Sequence, residues 1–586
     1  MNTQTSYVIL LWCLGSLLVS GCRQQHNVVM DMVHHNPGEA MTESKYLDPA
    51  FLKENGYGAK VFFLFEAAQF GIDWKEFDSS LFPDSTKAGE WVAKKAEVIH
   101  EKYNAAKKEG LDVYCMLDML VLPSALVEKH KSELTNDKGK IDISKPYTQA
   151  CIRELMKEMF ETFPQLDGLV IRTGETYLHD APYYTGNHPV LHGMHDHITL
   201  INLLRDEVCD KRDKKLFYRT WDMGQLHSIP KYYLSVTDSI EPHPNLYFSI
   251  KHTMTDFWRL TITNPNMDYD AMDTYWLEES GQYGVPFNPC IGIGKHQQVV
   301  EVQCQREYEG KGSHPNYIAK GVIDGFEEFH KRGIKQPYCL NQVKDNPLFK
   351  GVWTWSRGGG WGGPYITNEF WIELNAYVMS HWAKDPLREE KELMADFARE
   401  KGLPESELDA FRRLCLLSED GVIKGQYSTF GDVFVNWTRD DNITGDFFQK
   451  AYFDRMIKNN RIEDYLKEKE EAVGIWKEIE LISRNLHFSS EELSHFVCTS
   501  CTYGRIKYEL CAVSWQIMLH GYEAEKTGKP FDREIMNDHI KSFDQLWNEW
   551  NELDKQNEDC PSIYKISSSF FGVPTGIKET VDRYRE

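Results

Sequence analysis

The chain has 586 residues, of which 41% are hydrophobic and 13% aromatic, enough for a large core and two or three domains and unlike a disordered polymer. Its 66 basic and 89 acidic residues leave a net charge of −23, which repels a phosphate backbone at long range and argues against nucleic acid as a partner. The 16 Trp, 29 Tyr and 30 Phe supply flat apolar rings of the kind that stack on sugars, although in a chain of this size most belong to core.

Residues 8–19 form an apolar run too short to span a bilayer but of signal-peptide length, and they lead into Val19-Ser20-Gly21-Cys22. That tetrad resembles a bacterial lipobox. The resemblance implies a signal peptide over residues 1–21, a lipid on Cys22 and a cell-envelope location, periplasmic or outer-membrane associated, with the membrane a partner through that anchor. Of 13 Cys, eleven remain beyond the signal and Cys22, an odd number that cannot all pair. Cys115, Cys151 and Cys304 sit in apolar runs as small hydrophobes, and Cys498-Thr499-Ser500-Cys501 has no second pair for a metal.

Eight apolar or alternating runs follow in order, at 28–33, 60–65, 112–117, 168–172, 216–220, 246–250, 299–304 and 351–355. Segments with helical spacing lie between them, at 88–108, 148–163, 197–209, 317–332 and 367–379. Alternating strands and helices predict parallel βα units, and eight units over roughly 360 residues predict a (β/α)8 TIM barrel, an α/β fold, across 22–384; an open doubly wound sheet is the alternative. No Gly-rich phosphate fingerprint follows the first strand, so no nucleotide cofactor is expected. Beyond Asp385-Pro386, charged helical stretches at 462–484, 508–527 and 531–554 predict an α-helical C-terminal domain over 385–586.

In such a barrel the C-terminal strand ends form the catalytic face. Three acids stand there: Glu175 after strand four, Asp256 after strand six and Glu307 after strand seven. Paired carboxylates in different environments are what glycoside hydrolysis needs, one protonated to serve the leaving oxygen and one ionised to activate water or attack. Arg172, Arg219 and Lys251 lie on or beside the ends of strands four, five and six, where cations suit an anionic substrate; pairing with the acids is their plainer use. Trp221, Tyr308 and Arg357 complete the expected substrate-binding set, Arg357 opening a Gly-rich segment whose glycines let backbone approach a ligand. His179, His188, His192, His195 and His197 lack ligand spacing, and neither a metal nor any other cofactor is expected.

The motifs at strands six and seven are similar to those of the family-67 alpha-glucuronidases. Lys251, four residues, then Asp256-Phe257 matches one of that family's motifs, and Glu301-Val302-Gln303-Cys304-Gln305-Arg306-Glu307-Tyr308-Glu309-Gly310 matches its Glu-Leu-Gln-Ile-Thr-Gln-Glu-Tyr-Leu-Gly. Gly174-Glu175, Tyr218-Arg219 and the stretch from Glu373 to Pro386 extend the resemblance. It implies Glu175 as general acid, Asp256 and Glu307 as base candidates, and Arg172, Arg219 and Lys251 as ligands of a sugar carboxylate. The implied enzyme is exported and inverting, and removes a uronic acid from a plant or algal polysaccharide fragment. Thr253-Met254-Thr255 and Trp258 depart from the family's Gly-Pro-Ile and Gln, which leaves the sugar and its linkage open. The alternatives are a lipid-anchored glycan-binding protein on the same fold and a glycosidase for a neutral sugar, and a homodimer is compatible with either; three acids at strand ends favour the enzyme.

Overall fold

The computed structural model describes residues 27–35, 43–63, 66–222, 225–253, 287–307, 309–326, 337–359, 365–426, 428–429, 453–454, 456–561 and 577–585. Eight parallel strands close into a barrel: β1 Val28–Val33, β2 Ala59–Phe62, β3 Asp112–Asp118, β4 Gly168–Arg172, β5 Lys215–Arg219, β6 Leu246–Lys251, β7 Gln297–Gln303 and β8 Phe349–Arg357. Each predicted run coincides with one strand. β8 extends two residues beyond the predicted run on either side, and β2 ends at Phe62, three residues before the predicted end, of which residues 64–65 lie outside the described set. A short antiparallel ribbon, Val121–Pro123 with Tyr184–Gly186, sits beside the barrel.

The strands are buried on both faces, as parallel strands flanked by helices must be. In β4 all five residues are buried; Val170 points into the lumen while Leu169 and Ile171 join the outer core. The lumen is filled by Met30, Val61, Tyr114, Met116, Phe217, Val299 and Trp353, so the barrel is a packed core. The close approach of β8 to β1 needs a glycine. Gly351, at φ +145°, opens the β8 seam with β1, and a Cβ there would lie 1.9 Å from the Val28 carbonyl oxygen.

Between strands, the Lys87–Lys108 helix begins at Thr86, whose hydroxyl accepts from the Gly89 N–H at 3.1 Å, and buries Val92, Ile99, Tyr103 and Ala106 at helical spacing. The helix expected over 317–332 runs Ala319–Asp324 and stops at Gly325, φ +88°; residues 327–336 lie outside the described set. Phe370–Lys384 is buried on nearly every side, because it lies between the barrel and the helices that follow. Those are Glu390–Glu400, Leu408–Gln426, Ile462–Ser483, Glu491–Thr527 and Arg533–Gln556. Rings of Phe370, Phe411 and Phe488 pack together and the Trp371 indole donates to Ser500 Oγ at 2.9 Å, so one hydrophobic core runs through both regions. The eleven described cysteines are free, and all but Cys498 are buried. No helix among the described residues is long and apolar enough to cross a membrane.

A polar knot holds the barrel seam from outside. Asp31 of β1 accepts from Thr354 Oγ1 at 2.6 Å, from the Ser356 N–H at 3.0 Å and from Ser356 Oγ at 2.7 Å. Burial outweighs these bonds and pushes its carboxyl up to about 6. Between about pH 4 and 6 the folded chain then keeps a proton that the unfolded chain has released, so this group's contribution to stability falls as pH rises, by at most about 3 kcal/mol. Asp31→Asn keeps the shape without the titration. Its thermal midpoint should gain on the parent's between pH 4 and pH 7, and a gap equal at both pH values would show that Asp31 does not titrate there.

Candidate active site at the barrel mouth

Above the apolar lumen the inward positions turn polar. Arg172, the last residue of β4, is 1% exposed and is gripped by its register neighbour on β3: Nε and Nη2 donate to the two carboxylate oxygens of Asp118 at 2.5 and 2.8 Å. Its remaining Nη1 donates to Glu175 at 2.8 Å, and its face lies 4.3 Å from the centre of the Tyr177 ring. Arg219, ending β5 and equally buried, is held over the intervening β6 by Glu301 of β7, at 2.9 and 2.8 Å. Ser249 of β6 adds a hydroxyl to the same carboxylate at 2.7 Å. Rings of Trp353 and Trp355 lie under the Arg219 guanidinium at 5.4 and 4.8 Å.

The two described candidate acids stand at the rim of this layer. Glu175 follows β4 by way of Gly174, where a Cβ would lie 2.8 Å from the Trp221 carbonyl oxygen, so only glycine lets the two strand ends come this close. Its side chain is 26% exposed and is hydrogen-bonded to the Tyr177 hydroxyl, which burial and then the Glu175 charge hold well above its ordinary pKa. Glu307, 8% exposed, lies deeper. A Cβ on Gly359 would lie 2.6 Å from its Oε2 and 3.1 Å from the His34 ring, so the bare Gly359 backbone forms the wall behind both. The Gln303 amide faces Glu307 at 3.4 Å, its direction set by Arg306, which donates to Gln303 Oε1 at 2.9 Å and to Glu309 at 3.1 Å.

Lys251 ends β6 with its ammonium 4.1 Å from the Trp221 ring centre and 5.4 Å from that of Trp355. Arg357 pairs with Glu369 at 3.5 Å. Of the residues expected from sequence, the mouth therefore gathers Glu175, Glu307, Arg172, Arg219, Lys251 and Trp221, with Arg357 at the end of β8. Asp256, Tyr308, Cys22 and residues 360–364 lie outside the described set. In the His-rich segment, His197 is a core group, bonded to the Tyr218 hydroxyl at 2.8 Å and to Asp222 at 3.3 Å. Four mouth residues were not singled out from sequence: Asp118, Glu301, His34 and Trp355. The first two carried a signal, since each is in phase with lumen-facing positions of its strand, Asp118 with Met116 and Glu301 with Val299.

Removing Glu301 strands a buried guanidinium. Glu301→Ala should therefore destabilise the fold by about 3–5 kcal/mol, whereas the joint exchange of Arg219 and Glu301 for apolar residues of similar volume should cost much less. Chemical denaturation of both variants checks this, and equal losses would show that the pair is not what sustains the barrel mouth.

No family model matches the sequence, and no curated protein matches it. Among solved structures the chain aligns with a family-138 glycoside hydrolase targeting the pectin rhamnogalacturonan II, at a TM-score of 0.56 and 12% identity over 98% of this chain and 85% of that one. CpGH84B aligns at a TM-score of 0.39 and 7% identity, covering 95% and 77% of the two chains, and an O-GlcNAc hydrolase of Thermobaculum terrenum at 0.37 and 9%, covering 96% and 93%. The likeness to the family-138 enzyme is one of fold, and at 98% coverage it takes in the C-terminal helices together with the (β/α)8 barrel.

Proposed function

We propose that the chain is a glycoside hydrolase that removes a uronic acid from a polysaccharide fragment with inversion, in the manner of the alpha-glucuronidases. The observation that carries this reading is the placement of Glu175 and Glu307 after β4 and β7, on one barrel mouth floored by aromatic rings and cations. A sugar there would rest against Trp355 and Trp221. The fold likeness to a family-138 enzyme adds support of the coarser kind, for a glycosidase of some specificity.

The difference in exposure supports one allocation of roles. Glu175, nearer solvent, stands where a leaving group departs, and gives its proton to the glycosidic oxygen as the bond to the anomeric carbon breaks. Glu307, deeper and backed by Gly359, takes a proton from the water whose oxygen bonds to that carbon; Asp256 is the other base candidate. Glu175→Gln should lose about 10²–10⁴-fold on natural glycosides and recover in large part on aryl glycosides whose leaving group needs no protonation, while Glu307→Gln stays slow on both. Proton NMR of the first-formed sugar should show the anomeric configuration opposite to the substrate's. Retention would make one of these acids a nucleophile.

One observation favours a second reading, a neutral sugar. The paired edges of both guanidinium forks are already taken, Arg172 by Asp118 and Arg219 by Glu301, so neither arginine offers a free bidentate clamp to a substrate carboxylate. Recognition of a uronate then falls to Lys251, because the remaining Nη1 of Arg219 donates to the Met116 sulfur at 3.8 Å. Under the uronate reading, Lys251→Met should lower kcat/KM on a uronoside about tenfold more than on the matching neutral hexoside. An equal loss on the two would move the assignment to the neutral sugar.

A further inference from the structure

His34 stands one residue beyond β1, its backbone N–H donating to the Arg357 carbonyl oxygen at 2.9 Å, which fixes it at the level of the last β8 residue. Its ring is clamped between Phe63, 4.1 Å between centroids, and the edge of Trp355 at 5.9 Å. Both ring nitrogens are shielded, yet no described residue bonds either of them. Other buried histidines of the barrel have at least one ring nitrogen bonded: His252 and His296 bond through one and leave the other without a partner among the described residues, and two more bond through both. His227 has Thr220 Oγ1 at 3.1 Å on one nitrogen and the Thr253 carbonyl oxygen at 3.0 Å on the other, and His197 is bonded on both as well.

The position of His34 accounts for the difference. It shares the wall at Gly359 with the carboxylate of Glu307, and it faces Arg172, Arg219, Lys251 and the adjacent His35. Burial and these neighbouring cations hold its pKa well below the usual range, so the ring carries one N–H and one lone pair at neutral pH. The two nitrogens point to opposite sides of the ring, so one of them can meet a single pyranose hydroxyl, and a ring carrying a donor and an acceptor suits a hydroxyl, which can do both, better than a carboxylate, which offers only acceptors.

We propose that His34 is a sugar-binding residue of the mouth, bonding one hydroxyl of the pyranose held against Glu307 through one of its ring nitrogens. This deepens the glycosidase reading and rests on it. Recognition here is of hydroxyls, and is therefore separable from whatever reads the sugar's charge.

Tryptophan fluorescence of the full chain, titrated with D-glucuronate, D-galacturonate and D-glucose, tests the idea without requiring turnover. His34→Phe keeps the packed ring and removes both nitrogens. It should raise Kd about tenfold or more for every sugar the parent binds, leaving the thermal midpoint unchanged. His34→Gln, with one donor and one acceptor, should regain part of the affinity, and it decides the matter should the Phe variant fold poorly. A singly deoxygenated analogue lacking the contacted hydroxyl should bind the parent weakly and the Phe variant no more weakly still. Unchanged sugar binding in His34→Phe, or the same loss on every deoxy analogue, overturns the proposal and leaves the glycosidase reading standing. If the parent neither binds nor releases any of these sugars, the glycosidase reading falls and the proposal falls with it.

Discussion

A guanidinium cannot leave water alone, and the barrel mouth buries two of them, Arg172 and Arg219, at 1% exposure each. Everything at this level follows from how they are satisfied. Asp118 must stand beside Arg172 on the neighbouring strand, and the register does pair Asp118 with Arg172 across β3 and β4. Glu301 must reach Arg219 from two strands away, which Ser249 on the intervening β6 helps by taking a share of the carboxylate. The result is a cross-braced floor, stapled through β3 and β4 on one side and through β5, β6 and β7 on the other. A floor of apolar residues could be as stable. What the ionic one adds is direction: Arg172 Nη1 meets Glu175 at the rim, while Arg219 Nη1 donates to the sulfur of lumen-lining Met116 at 3.8 Å.

Beneath this layer the lumen is packed with Met, Val and aromatic side chains, and a medium of that kind strengthens every charge interaction at its boundary. Water reaches the mouth from above only. An acid at the rim and one set deeper, such as Glu175 and Glu307, consequently meet different surroundings although both follow parallel strands. That asymmetry is what a two-carboxylate mechanism requires, and neighbouring residues set it, Arg172 and Tyr177 beside Glu175 and Gln303 and Gly359 beside Glu307.

The C-terminal helices bear on the same site through the segment after β7. Beyond Glu307, the His314 ring lies 5.0 Å from Trp476 and 5.4 Å from Tyr508, and the Tyr317 N–H donates to Ser418 Oγ at 3.1 Å. On the barrel side, Asn375 Oδ1 accepts from the Ile318 N–H at 3.0 Å, and at Gly312 a Cβ would lie 2.7 Å from Ile372. The segment is thus gripped between the Phe370–Lys384 helix and the helical region. The distant helices act as a brace that settles where the loop carrying Glu307 can lie.

The strands were legible because β-branched and apolar runs ended in polar residues at intervals suited to βα units, and the acids just past the strand ends stood out for the same reason. The start of the Glu491–Thr527 helix was not legible. The expected helix begins at 508, but residues 491–507 are also helical despite poor helix formers such as Thr499, Ser500 and Gly504, because they pack against Trp476; a Cβ on Gly504 would lie 2.4 Å from that ring. Asp118 and Glu301 were visible as acids but not as partners of the arginines. Glu301 alternates with Val300 and Val302, yet both faces of β3 and β7 are buried, so the alternation alone does not say what an inward acid meets. Only the pairing register joins Asp118 to Arg172, and only the curl of β5, β6 and β7 toward closure brings Glu301 to Arg219. Register and closure are properties of the assembled sheet, so a strand read singly shows the acid and not the cation it must neutralise.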